Sequence, residues 1–280
     1  MFSQEKIEPF IRWAGGKQRI VQKLLRFIPE NIYELNYREP FVGAGSLFFA
    51  LQPSQAWLSD ANSHLINCFK HVRDYPDLIN TYLKQHAAKT CKDYYYNIRQ
   101  QYNRGYESTA QAARFIYLNK TCFNGIFRVN KNGQFNVPYG WKEPPALPQL
   151  HLLRQASVAL KNAKLTALPF EKILLNISKN DFIYLDPPYP PLNGTSYFTH
   201  YTVERFCEKD QRKLANLAKQ LDSFGCRFMM SNADVPLVRE LYHQFNIFMF
   251  SVNRSISCKS KRHNVSELII TNYLPSGVDK

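Results

Sequence analysis

At 280 residues the chain is too long for a minimal module and short for two independent domains, which suits one core carrying an insertion. A hydrophobic content of 45%, with 14% aromatic residues, excludes global disorder, and a formal net charge of +14 favours polyanionic partners through steering and counterion release. No signal peptide, membrane span or Cys-x-x-Cys pair is evident, so we expect a cytoplasmic protein with reduced thiols in packing roles and no metal centre.

In chain order, Arg38 to Val42 reads as a strand running into Gly43-Ala44-Gly45-Ser46 and then a helical pattern over Leu47 to Leu51. Ala56 to Ser59 reads as a second strand ending at Asp60, and Asn62 to Val72 has helical spacing of apolar residues. Between about Phe69 and His151 the character changes. Tyrosines (75, 82, 94, 95, 96, 102, 106 and 117) interleave with Lys and Arg, followed by turn-forming Asn124-Gly125 and Asn130-Lys131-Asn132-Gly133 and a proline cluster at Pro144 to Pro148. This stretch is expected to be helices followed by a β-hairpin, inserted into a sheet domain. Asp181 to Leu185 is a buried strand ending at Asp186, and Leu214, Leu217, Leu221 and Phe224 form an amphipathic stripe closed by Gly225. Arg227 to Met230 reads as another strand, while Ile247 to Val252 and Glu267 to Tyr273 are expected to form an antiparallel edge pair. The alternation as a whole indicates an α/β sheet.

Two places carry chemistry. Gly43-x-Gly45 after a strand permits a tight turn and close backbone approach to a ligand, and Asp60 at the end of the next strand can accept both hydroxyls of a ribose. Loop glycines with an N-cap aspartate would look the same. The third glycine of a dinucleotide motif is missing, which tilts the ligand towards a smaller nucleoside such as S-adenosyl-L-methionine.

Asp186-Pro187-Pro188-Tyr189 follows a buried strand, at the edge where α/β sheets place their ligands. An adenine N6 amine is a poor nucleophile because its lone pair is delocalised into the ring. A carboxylate and a fixed backbone carbonyl can each accept one of its two N–H bonds, aiming the lone pair at a methyl donor and stabilising the positive charge that develops. Pro187 fixes the carbonyl through its locked φ, and Tyr189 offers a flat face for an extruded base.

With these residues in view, the chain resembles the Dam-type DNA adenine N6-methyltransferases over nearly its whole length. Arg12-Trp13-Ala14-Gly15-Gly16-Lys17 resembles the family's N-terminal signature, Glu39 to Ser46 its cofactor loop, Asp60-Ala61-Asn62 its acidic motif and Asp186 to Tyr189 its catalytic motif. The resemblance implies a Rossmann-like α/β methyltransferase sheet with an inserted, mainly helical DNA-recognition domain that carries a β-hairpin. The division it implies is residues 1–68 and 152–280 for catalysis and 69–151 for target recognition. The implied reaction is transfer of a methyl group from S-adenosyl-L-methionine to adenine N6 in duplex DNA after base flipping, with GATC as the expected site.

The implied roles follow residue by residue. Trp13 and Lys17 contact the methionine part of the cofactor, Phe41 belongs with Gly43 and Gly45 in its loop, Asp60 holds the ribose, and Asp186 lies between cofactor and target base. Phe170 either packs on the cofactor's adenine or simply fills the core. Leu118-Asn119-Lys120, Phe123-Asn124-Gly125, Arg128 and Phe135 to Gly140, including Pro138, resemble the recognition hairpin. Arg128 is suited to grip guanine O6 and N7, and Phe123 to wedge between bases. Asn124 contacts a base edge or shapes the turn, and Arg12 and Lys120 are expected on DNA. Trp141 departs from the pattern, standing where some relatives carry a basic residue. Asn193 to Thr199 is expected to be a polar loop facing DNA, and the basic Arg254 to His263 either a phosphate contact or a solvated hairpin tip. The expected partners are double-stranded DNA containing GATC and, where the enzyme belongs to a restriction system, a separately acting endonuclease. No membrane is involved, and the enzyme is expected to be a monomer. A methylase of another planar amine, a catalytically silent DNA binder and a nicotinamide enzyme are the competing readings, in falling order.

Overall fold

The computed structural model describes residues 7–141, 143–190, 206–254 and 263–276, with the side chains of 252–254 and 263–265 left out. The loop at Asn193 to Thr199 and nearly all of the basic Arg254 to His263 segment lie outside the described residues. Four short parallel strands form one side of the sheet, out to its edge: β1 (Asn36–Glu39), β2 (Ala56–Ser59), β3 (Ala163–Thr166) and β4 (Asp181–Leu185). To these are added β5 (Arg227–Ala233), β6 (Asn246–Arg254) and β7 (His263–Thr271), and the seven run in the order β3-β2-β1-β4-β5-β7-β6. Only β7 opposes its neighbours, pairing antiparallel with both β5 and β6, so the expected edge pair is present. The chain winds from β1 outwards to β3 and then returns to β4 on the other side of β1. The point where the order reverses, between β1 and β4, is where a doubly wound sheet opens a crevice at its carboxyl edge.

Alternation along the strands assigns a core to each face. Phe182, Tyr184, Met229 and Ile269 belong to one apolar cluster, while Ile183, Leu185, Phe228, Met230, Leu268 and Ile270 belong to the other. The second face is covered by α8 (Glu208–Ser223), whose Leu214, Leu217 and Leu221 are buried at helical spacing. Phe224 does not extend that stripe: it is the C-cap and half-exposed, and Gly225, at φ +73°, turns the chain into β5.

On the first face, α3 (Ser63–Asp74) leaves β2 through an N-cap in which Asn62 Oδ1 accepts the Leu65 N–H at 3.1 Å. There follow α4 (Pro76–Ala88), α5 (Lys92–Arg104) and α6 (Thr109–Thr121), then irregular chain, then α7 (Leu150–Leu160), which returns to β3. The expected boundaries at 68/69 and 151/152 each fall inside an unbroken helix, α3 and α7 respectively. Phe69, Val72, Ile79, Leu83 and Tyr95 share one apolar cluster with Phe10, Leu24 and Tyr37, so the insertion and the sheet are buried against each other.

The expected β-hairpin is altered. Residues 121–140 run antiparallel, but pair only through the isolated bridges Cys122↔Tyr139 and Val129↔Phe135, not through strands. Pro138 has no N–H to donate and Asn124, at φ +55°, breaks the extended run, so no continuous ladder forms. The tip is held by Asn130, whose carbonyl accepts from Gly133 at 3.0 Å and whose Oδ1 accepts from Asn132 and Gln134 at 2.9 and 3.0 Å.

Of the cysteines, Cys68, Cys122 and Cys226 are buried as expected of packing residues. Cys91 and Cys207 are exposed and cap α5 and α8 instead, while Cys258 lies outside the described residues. Among the described residues no helix is long and apolar enough to cross a membrane.

Candidate active site

The carboxyl ends of β1, β2, β4 and β5 share one edge of the sheet, and each delivers polar groups there. After β1 the chain passes through Gly43 and Gly45, both at positive φ (+48° and +70°), into α2 (Ser46–Leu51). A Cβ on Gly43 would stand 2.8 Å from Trp13 Cδ1, so the indole of the N-terminal segment lies directly on the glycine backbone. Asp60, just past β2, closes the loop from the other side. Its Oδ2 accepts the Gly43 N–H at 3.2 Å and its Oδ1 the Asn62 N–H at 2.9 Å. Burial raises its pKa to about 6 against the lowering effect of these two backbone hydrogen bonds. Phe41 stacks on Phe170 with centroids 5.3 Å apart and planes 26° apart, and Phe206 abuts both rings. Phe170 is buried in the core cluster under α8, so its contacts are those of a core residue at the rim of the site.

After β4, Asp186 projects from the same face of the sheet as Tyr184, two residues earlier. Lys17 Nζ lies 2.6 Å from Asp186 Oδ1 and 2.9 Å from its Oδ2, and also donates to the Gly15 carbonyl at 2.7 Å. Ser231 Oγ donates to Asp186 Oδ1 at 2.7 Å and is itself 3.0 Å from the Tyr184 hydroxyl. Burial raises the Asp186 pKa, and Lys17 is the largest influence in the opposite sense. Lys17 Nζ also sits 4.7 Å from the centroid of the Tyr189 ring, whose hydroxyl donates to Glu267 Oε2 at 3.1 Å. On β1, Tyr37 donates to Glu39 Oε2 at 2.7 Å, and burial holds the Glu39 carboxyl well above the usual carboxylate range. The strip thus sits in a buried polar cluster in which Lys17 is the cation.

The segment 118–140 is joined to this cluster through the N-terminal one. Asn119, at the end of α6, accepts the Arg12 N–H at 2.8 Å and donates to the Arg12 carbonyl at 2.8 Å and the Gly125 carbonyl at 3.2 Å. A Cβ on Gly125 would stand 2.6 Å from Arg12 Cδ, so the arginine stem crosses the glycine. Trp13 stacks on Phe127 with centroids 5.9 Å apart. A cavity of about 400 Å³ is lined by Trp13, Lys17, Ala44, Ser46, Asn124 and Glu267 among others, and so touches the N-terminal segment, the glycine loop, the recognition segment and β7. Phe123, Asn124 and Pro138 are exposed and adjoin one another, with the Phe123 N–H donating to the Pro138 carbonyl at 2.9 Å. Lys120 and Arg128 are half-buried, and Arg128 Nε donates to Asn136 Oδ1 at 2.8 Å. The exposed Trp141, at φ +55°, packs on Tyr139.

Trp13, Lys17, Gly43, Gly45, Asp60, Asp186 and Tyr189 therefore converge on one edge, with Arg12 and Asn124 beside them. Ser231, Glu267 and Gln211 reach it without having been singled out from the sequence, while Glu39 and Asn119, named only as members of their motifs, reach it too. Ser231 carries the one usable signal, a polar residue ending an apolar strand at the ligand-bearing edge. Glu267 offers none, since its partner Tyr189 lies 78 residues away in the chain.

Residues 13–256 match the family described as D12 class N6 adenine-specific DNA methyltransferase. The chain is 39% identical to the type II methyltransferase M1.LlaDCHI of Lactococcus lactis subsp. cremoris, over 95% of this chain and 96% of that one. It is 38% identical to the type II methyltransferase M.MjaIII of Methanocaldococcus jannaschii, over 96% and 100%. It is 33% identical to the DNA adenine methylase of Escherichia coli K12, over 98% of each. The motifs, the sheet and the similarity along the whole chain agree: the protein belongs to the D12 class of N6 adenine-specific DNA methyltransferases.

Proposed function

We propose that this adenine-specific DNA methyltransferase uses S-adenosyl-L-methionine to methylate adenine N6 in duplex GATC, with the adenine extruded onto the Asp186-Pro187-Pro188-Tyr189 strip. The observation that carries the reading is the Asp186 carboxylate, fixed by Lys17 and Ser231 at the switch point of the sheet, beside the loop closed by Asp60.

The residues present fit the cofactor. Gly43 lets the Trp13 indole close against the loop backbone, Asp60 offers two acceptor oxygens for a ribose, and Lys17 is a buried cation for the methionine carboxylate. Phe41 and Phe170 supply an apolar wall suited to its adenine. When bound, S-adenosyl-L-methionine supplies an electrophilic sulfonium methyl group.

This chain's own residues would do the rest. Asp186 Oδ1 takes both Lys17 and Ser231 whereas Oδ2 takes Lys17 alone, so Oδ2 has the greater acceptor capacity left for an N6–H. The Pro187 carbonyl accepts the second N–H, and the two acceptors together pyramidalise the nitrogen and localise its lone pair towards the methyl donor. On transfer of the methyl group the S–C bonding pair would stay with the cofactor's sulfur, and the Asp186 carboxylate would stabilise the positive nitrogen and take its proton. Tyr189 stacks on the base.

Residues 69–151 serve in this reading as the target-recognition part. Arg128 reads guanine through its two terminal nitrogens, its Nε being tied to Asn136, while Phe123 enters the stack beside Asn124 and Pro138. Arg12 and Lys120 contact the DNA. The formal charge of +14 supports association with a phosphate backbone. We propose that the enzyme acts as a monomer, as a cytoplasmic enzyme, alone or beside a separate restriction endonuclease.

The test is methyl incorporation from labelled S-adenosyl-L-methionine into matched duplexes, one with GATC and one with the same bases scrambled, followed by nucleoside analysis. N6-methyladenine in the GATC duplex alone is expected. Equal label in both would discard the site, and label in neither would discard the assignment.

A further inference from the structure

Beyond the strip itself lies a second set of buried polar contacts, on the opposite face of the sheet. Ser231 and Asn232 are neighbours near the end of β5 and therefore point to opposite faces. Ser231 reaches the Asp186 carboxylate on one side. On the other, Asn232 Nδ2 donates to Gln211 Oε1 at 3.3 Å, and Gln211 Nε2 donates to the Pro188 carbonyl at 3.1 Å. Asn232 is itself oriented by the Ala233 N–H, which donates to its Oδ1 at 2.8 Å. Gln211 and Asn232 are both closed off from solvent, at 1% and 0% exposure, although neither is apolar. Burying two amides is costly unless their hydrogen bonds are made, and these amides make them in series, ending on the catalytic strip.

We propose that Gln211 and Asn232 are positioning residues for methyl transfer: with Ser231 they make the end of β5 a two-sided clamp on the strip, one arm on the Asp186 side chain and the other, through α8, on the Pro188 carbonyl. The proposal rests on the reading that Asp186 and the Pro187 carbonyl hold the target amine. The peptide between Pro187 and Pro188 carries the proposed acceptor carbonyl at one end. At its other end is the residue whose own carbonyl Gln211 grips. Two prolines lock φ and, because Pro188 follows it, confine Pro187 to extended ψ over a range of about 40°, so the local sequence narrows the direction of that carbonyl without fully setting it. The Gln211 contact removes the remaining freedom. A misplacement of about 1 Å in such a constellation lowers rate by about a hundredfold without altering what binds.

The experiment measures kcat and both KM values for the full-length enzyme on a duplex that the wild type methylates, with thermal melting as the folding control. Gln211→Met keeps the volume and removes both hydrogen bonds, and should lower kcat by about tenfold to a hundredfold while both KM values stay within about twofold. Asn232→Ala should lower kcat less, and the double variant should be no worse than Gln211→Met alone, because Asn232 acts through Gln211. Should Gln211→Met lose its melting transition, Gln211→Glu takes its place, since it keeps the acceptor for Asn232 and removes the donor to Pro188. An unchanged kcat, a loss confined to KM, additive losses in the double variant, or unfolding of both Gln211 variants would each overturn the clamp. Asp186→Asn, assayed alongside, separates the two ideas. Wild-type turnover there discards the strip reading, whereas an inactive Asp186→Asn beside unaffected Gln211 variants discards the clamp alone.

Discussion

Lys17 and Asp186, 169 residues apart in the chain, meet in an ion pair of 2.6 Å, with side-chain exposures of 6% and 16%. Burial pushes the Asp186 carboxyl towards the protonated form and Lys17 is what chiefly pulls it back. A protonated Asp186 can neither stabilise the positive nitrogen nor take its proton, so activity should be lost as pH falls through its pKa. Removing the cation leaves the burial effect unopposed and raises that pKa further. Lys17→Met should therefore move the acid limb of the kcat profile to higher pH, measured at saturating cofactor and DNA. An acid limb that stays in place would mean that Asp186 does not set it.

Asp60 gives a second pH dependence, with a value attached. Its folded pKa is about 6, above that of a free aspartate, so it is an anion above pH 6 and takes up a proton below. A neutral carboxyl loses an acceptor position for the ribose. Affinity for S-adenosyl-L-methionine, followed by calorimetry, should weaken as pH falls through about 6, and Asp60→Asn should be weak and pH-independent in that range. The same raised pKa works against folding: stability from this group falls as pH rises from the unfolded value towards 6 and is level above it. A pH-dependent affinity that survives in Asp60→Asn would point to another group.

Gly43→Ala combines two penalties. The left-handed φ of +48° costs an alanine about 1–2 kcal/mol. Its Cβ, 2.8 Å from Trp13 Cδ1, must also displace the indole. We expect a lower melting temperature together with weaker cofactor binding. A variant that melts lower but binds normally would remove Trp13 from the cofactor site.

Arg128→Ala should relax recognition more than it weakens binding. A bidentate arginine–guanine pair is worth about 1–3 kcal/mol of discrimination. Methylation rates on GATC and on a duplex with the guanine replaced should therefore converge in the variant. Asn136→Ala, which removes the acceptor holding Arg128 Nε at 2.8 Å, should produce the same change more weakly. Undiminished discrimination in Arg128→Ala would assign guanine reading to another residue.

What the sequence determined by itself is local. An apolar strand ending in Asp-Pro-Pro-Tyr, a glycine pair after another strand and an aspartate after a third are written in adjacent residues, because strand, turn and cap geometry depend on near neighbours. The winding of the parallel strands follows from their alternation with helices, and the antiparallel edge from the two adjacent strand patterns at the end of the chain. Tertiary structure decided the rest. The run at 121–140 has the residues of a hairpin, yet Pro138 and the left-handed Asn124 reduce its pairing to two bridges. Helices α3 and α7 run unbroken across the expected cuts, because one core buries both parts. The pairings of Lys17 with Asp186, Asn119 with Arg12 and Gln211 with Pro188 join segments that only the folded sheet brings within hydrogen-bond range. A pattern of neighbours fixes where a backbone turns; which side chains then meet depends on the packing of elements distant in the chain.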